Sequence, residues 1–115
     1  WAVSAPERLS RRAMAALRKT SAVREISVVS LAEIAVKQTR GKLTFSKADV
    51  IAGVADLQLR VLPYSAAHAF ALFDLPTHHG DPFDRQIIAQ ALADDIAVVT
   101  PDEAFLQYEG LTVVW

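Results

Sequence analysis

The sequence predicts one α/β domain in three layers, with helices covering both faces of a mostly parallel sheet. Three observations predict it. Short apolar or β-branched stretches at Glu25–Val29, Leu59–Leu62, Ile96–Thr100 and Leu111–Trp115 have the composition of strands. Stretches with helical spacing and recognisable starts separate them. The strand stretches are apolar at successive positions rather than alternate ones, the pattern of strands buried on both faces. At 115 residues, 52% of them hydrophobic, the chain is long enough to bury a core.

The elements follow in order. Ser10 can cap a helix over Arg11–Lys19, where Ala13, Met14, Ala16 and Leu17 share one face. After the Glu25–Val29 strand, Ser30-Leu31-Ala32-Glu33 reads as a capping box opening a helix to about Thr39, and Gly41 suits its stop. Ser46 caps a helix from Lys47 to about Leu57. The Leu59–Leu62 strand ends before Pro63, and Ser65 begins a helix with Ala66, Ala69, Phe70 and Phe73 on one side. Leu75–Gly80 is rich in breakers and reads as a loop. Asp81-Pro82-Phe83-Asp84 starts the clearest helix, which runs to about Ala93 with Ile87, Ile88, Ala91 and Leu92 inward. The Ile96–Thr100 strand, a short helix over Pro101–Gln107 and the Leu111–Trp115 strand complete the chain. Neither repeat nor linker interrupts it, so residues 1–115 form a single domain.

Composition excludes several classes of function. The absence of cysteine rules out a disulfide framework and a thiolate metal site, and fits a cytoplasmic setting. No apolar run approaches the ~18 residues of a spanning helix, so no membrane partner is expected. A net charge of −1 argues against a polycation that coats nucleic acid. Charge is nonetheless uneven: Arg8, Arg11, Arg12, Arg18 and Lys19 face one nearby acid, Glu7. That segment is either a solvated helix face or a patch that steers phosphate.

Three acids carry the chemistry. Glu33 falls at the third helical position after Ser30, Asp84 at the same position after Asp81, and Asp102 in the first turn after Thr100 and Pro101. Each alone is explained by capping or by the helix dipole, worth about 0.3–1 kcal/mol. Together they mean more. In an open parallel sheet the ligand crevice lies at the carboxyl ends of the strands. The helices of Glu33 and Asp102 directly follow strands. That of Asp84 leads into the Ile96 strand, and a helix of about 12 residues spans roughly 18 Å, which sets its start on the crevice side as well. Converging carboxylates without cysteine are an oxygen-ligand site, suited to Mg²⁺ or Mn²⁺. Such ions activate water and offset the charge that develops in phosphodiester hydrolysis. No Ser/His/Asp set or phosphate-cradling glycine loop competes.

The segments Ser30-Leu31-Ala32-Glu33-Ile34-Ala35-Val36-Lys37, Gly41-Lys42-Leu43, His78-His79-Gly80-Asp81-Pro82-Phe83-Asp84-Arg85 and Val99-Thr100-Pro101-Asp102 resemble, in order and spacing, the successive signatures of the VapC-type PIN-domain toxins. The resemblance implies a PIN-like fold and an Mg²⁺- or Mn²⁺-dependent endoribonuclease, the toxin of a type II toxin–antitoxin pair. It implies Glu33, Asp84 and Asp102 as catalytic and metal-holding acids, with Asp81 capping its helix or approaching the metal through water. Its implied partners are an RNA substrate, a cognate antitoxin inserted into the active-site groove, and a second copy in a homodimer. Such toxins open with a central strand reading roughly D-T-H-x-L-L-W, whose Asp is the first metal ligand. Trp1 matches the last residue of that segment, so the chain is expected to be N-terminally truncated and to lack the first central strand. Its neighbours would then lie roughly 10 Å apart with unpaired backbone. Upstream residues, or another segment of the chain, are expected to fill that slot.

The remaining polar residues have two readings each. Lys37 is either an i,i+4 partner of Glu33 or a phosphate contact. Arg85 is divided between helix surface and phosphate. Thr100 and Ser30 are helix caps or hydrogen-bond partners of a metal-bound water. His78 and His79 read as loop residues, His68 as structural, and Trp1 and Trp115 as packing residues. The alternative to an enzyme is a degenerate PIN fold that binds antitoxin or RNA without cleaving. A phospho-acceptor domain ranks below both, since it requires a late lysine and none follows Lys47.

Overall fold

The computed structural model describes residues 2–4, 11, 15 and 23–115. The helix expected over Arg11–Lys19 therefore lies, apart from Arg11 and Ala15, outside the described residues, as do Trp1 and most of the basic segment. Five strands lie among the described residues: β1 (Ala2–Val3), β2 (Glu25–Ser27), β3 (Arg60–Leu62), β4 (Val98–Val99) and β5 (Val113–Val114). They form one sheet in the order β3-β2-β1-β4-β5, parallel at every pairing.

The centre of that sheet corrects the expectation of an absent strand. Ala2 pairs with Glu25 on one side and with Val98 on the other. Ala2 N donates to Ala97 O at 2.8 Å and Ser4 N to Val99 O at 3.1 Å. The slot between β2 and β4 is thus filled by Ala2–Val3, and the backbone groups expected to be orphaned are paired.

Four α-helices lie among the described residues: α1 (Val28–Thr39), α2 (Lys47–Asp56), α3 (Ala66–Phe73) and α4 (Pro82–Asp94). A 3₁₀ turn over Glu103–Gln107 replaces the short helix expected from Pro101. Ser46 and Asp49 cap each other's backbone reciprocally at the start of α2. Gly41, at φ +70, closes α1 in a Schellman turn, with Lys42 N donating to Lys37 O and Gly41 N to Gln38 O.

The start of α1 departs from expectation. Strand β2 ends at Ser27, two residues short of the predicted Val29, and Ser27 Oγ accepts from Val29 N at 3.1 Å as the cap. Ser30 is thus inside the helix, and Glu33 is its sixth residue. The capping box read at Ser30–Glu33 does not form, so capping does not explain Glu33.

Alternation along the strands splits the core in two. Val98 joins Val29, Ile87, Ile88, Phe105 and Tyr108 on one face, whereas Val99 joins Val3, Ile26, Leu57 and Leu59 on the other. Helix α4 is the most deeply buried, from Ile87 through Ala91. The Phe70 and Phe73 side of α3 faces outward, the two rings stacked 6.4 Å apart and 69% and 85% exposed. Trp115, expected to pack, is exposed. No described helix is long and apolar enough to cross a membrane.

Candidate functional site

Parallel pairing sets the carboxyl ends of β1, β2 and β4 on one edge of the sheet, at Ser4, Ser27 and Thr100. Helix α1 begins immediately at that edge. Helix α4 begins after its loop at Asp81, which caps it by accepting from Phe83 N at 2.9 Å and from Asp84 N at 3.0 Å. Pro82 fits the first turn because it has no N–H to satisfy there.

Glu33, Asp81 and Asp84 come together at this edge, one carboxylate oxygen of each lying within 4.8 Å of the others. Glu33 is buried, Asp84 half-buried and Asp81 exposed. The Asp84 side chain makes no return bond to the Asp81 backbone; its Oδ2 instead lies 3.4 Å from His79 Nε2. Burial first, then the charges of Asp81 and Glu33 and more distantly Asp102, raise the Asp84 carboxyl to about 6, against a lowering by the His79 hydrogen bond.

Asp102 does not share that spacing. It caps the 3₁₀ turn, Oδ1 accepting from Ala104 N at 3.0 Å, while its own N–H donates to Thr100 Oγ1 at 3.2 Å. Sequence placed Asp102 in the first three and Asp81 behind them; the structure brings Asp81 into the closest group.

Around the acids, Lys37 Nζ lies 3.1 Å from Glu33 Oε2, the i,i+4 pair expected from spacing. Arg85 turns back onto the loop before α4, donating to Pro76 O at 2.8 Å and Leu75 O at 3.3 Å. Ser30 is buried one turn before Glu33, and its hydroxyl has no hydrogen-bond partner among the described residues. His79, read from sequence as an ordinary loop residue, bridges the site to the core: its Nδ1 lies 2.7 Å from the hydroxyl of buried Tyr108. His78 packs edge-on to the same ring.

Hard oxygen donors at this separation, in a chain without cysteine, fit a divalent cation of the Mg²⁺ or Mn²⁺ type. The raised Asp84 carboxyl fits too, since three acids this close repel one another unless a cation lies between them.

A family model described as PIN domain matches residues 1–111. No curated protein matches the chain. Its fold is shared with VapBC2 from Rickettsia felis bound to a DNA fragment from its promoter, at TM-score 0.72 and 18% identity, covering 99% of this chain and 97% of that one. DNA-bound VapBC from Salmonella typhimurium gives TM-score 0.74 at 15% identity, covering 98% and 95%. FitAcB from Neisseria gonorrhoeae gives 0.69 at 15%, covering 100% and 97%. At these identities the likeness is one of fold.

Proposed function

The chain belongs to the PIN-domain family, and on that premise we propose that it is a metal-dependent endoribonuclease, the toxin of a toxin–antitoxin pair. The observation that carries the reading is the meeting of Glu33, Asp81 and Asp84 from two separate helices. Bound Mg²⁺ or Mn²⁺ supplies an activated water and offsets the charge that builds on the phosphodiester. Glu33 and Asp84 would hold the ion, one from each helix. Asp81 would add a carboxylate oxygen to it, and Asp102 would act through its charge or an intervening water. Lys37 orients Glu33 through their ion pair. Ser30, whose buried hydroxyl has no partner among the described residues, and Thr100 are proposed as hydrogen-bond partners of a water at the site. Arg85 is committed to the loop, which favours a supporting role over contact with phosphate.

We propose RNA as substrate because the chemistry suits a phosphodiester and the N-terminal segment is basic; Arg11, its one described cation, is exposed. A cognate antitoxin is proposed as partner, in line with the VapBC complexes that share the fold. A second copy is proposed to cover the exposed Phe70–Phe73 side of α3.

One observation favours the non-cleaving alternative: the carboxyl end of central β1 carries Ser4, buried and uncharged, instead of a fourth acid. The two readings separate in one assay. Single-stranded RNA is incubated with the parent chain, Glu33→Gln and Asp84→Asn, with Mn²⁺ or with chelator. Cleavage by the parent with Mn²⁺ alone supports the enzyme. Equal cleavage by all three proteins removes it, and RNA retention without cleavage by the parent selects the alternative.

A further inference from the structure

We infer that Tyr108 and His79 form a one-directional donor chain that positions Asp84, with Arg85 anchoring its far end. The inference rests on the metal-site reading above and adds residues to it.

The direction follows from what each group can donate. An ionised carboxylate only accepts, so the His79 nitrogen facing Asp84 Oδ2, Nε2 at 3.4 Å, carries the proton. A neutral imidazole has one donor and one acceptor, so Nδ1 accepts. The partner of Nδ1 is the Tyr108 hydroxyl at 2.7 Å, which must donate its only proton there. The phenol oxygen is then left to accept, and Arg85 Nη1, a donor with no acceptor capacity, lies 3.4 Å from it. Guanidinium, phenol, imidazole and carboxylate all point one way.

The setting keeps this order in place. Tyr108 is 3% exposed, and the side chains of His79 and Asp84 are 18% and 14% exposed, so little water competes for the links. Arg85 also holds the carbonyls of Leu75 and Pro76 in the loop that carries His79. His79 is therefore a positioning residue: it fixes the orientation of a carboxylate that would touch the ion. Outer partners of this kind typically change metal affinity 10–100-fold when removed.

Two measurements test it. Nitrogen-15 NMR of the histidines in mildly alkaline buffer is expected to find His79 as the Nε2–H tautomer, and Tyr108→Phe to give a mixture of tautomers. Calorimetric Mn²⁺ titration is expected to show His79→Ala binding about 10-fold weaker or worse. His79→Gln, whose amide oxygen can accept from the phenol and whose NH₂ can donate to Asp84, should restore most of that loss and guards against misfolding of the alanine variant. An Nδ1–H tautomer in the parent, or undiminished Mn²⁺ affinity in a folded His79→Ala, overturns the inference. Should the parent show the Nε2–H tautomer yet bind no Mn²⁺, the metal-site reading fails, and the positioning role with it.

Discussion

His68 Nε2 lies 2.9 Å from both carboxylate oxygens of Asp94, tying the first turn of α3 to the last turn of α4. The other ring nitrogen, Nδ1, accepts from the backbone N–H of Ser65 at 2.9 Å, where a capping box would have Glu or Gln. One buried ring thus satisfies a helix start and a helix end. His68→Ala removes a buried ring and its hydrogen bonds to Ser65 and Asp94, and is expected to cost about 1–3 kcal/mol, read as a lower denaturation midpoint with unchanged slope.

Asp84→Asn is expected to stabilise the metal-free protein while ending metal-dependent cleavage. Burial and the adjacent Asp81 and Glu33 make the charge at Asp84 unfavourable in the fold. A neutral amide removes that repulsion. A gain of about 1 kcal/mol would raise the melting temperature in chelator by roughly 4 °C. An unchanged or lower melting temperature counts against the proximity of these acids.

The same shift sets a pH dependence. The Asp84 carboxyl is raised from 3.8 to about 6 in the folded chain. A raised acid favours folding while protonated, so its contribution is complete below the unfolded value and is lost as pH climbs through about 6. Metal-free parent protein should lose stability relative to Asp84→Asn across that window, in paired thermal melts. Mn²⁺ requires the ionised form, so its affinity should fall as the solution is acidified through the same range.

Replacing both Phe70 and Phe73 with serine is expected to leave folding intact, because the rings face outward. If a second copy covers that face, light scattering will give the parent twice the mass of the double variant. Equal masses would remove the homodimer from the proposal.

Much of this architecture was legible in the sequence, and the exceptions share a cause. Ser46, Ser65 and Asp81 were readable as helix starts because a cap acts within three residues of itself. Ser27 and Ser30 were harder to tell apart: both are serines ahead of an apolar run. The choice is made by where β2 stops pairing with Arg60–Leu62, a decision taken 35 residues away. Ala2–Val3 is too short for any periodicity, and only its two neighbours make it a strand. Apolar residues run around α3, so spacing alone did not say which side would be wet. Order and spacing singled out Glu33 and Asp84, whose carboxylates do lie close together. The step from Asp102 to Asp81 in the closest group, and the tie from His79 to Tyr108, depend on contacts that no local pattern encodes.

The two-residue length of β1 has a mechanical consequence. Among the described residues, the backbone hydrogen bonds that join the halves of the sheet, β3-β2 and β4-β5, run through Ala2–Ser4, so the seam runs through the middle of the domain rather than along its rim. Solvent exchange at the Ala2 and Ser4 amides should then outpace that of Val98 and Thr100, whose N–H groups donate to Thr112 O and Val114 O on the β5 side. A transient parting there would also draw the Glu33 helix away from the Asp102 turn, loosening the pocket from beneath.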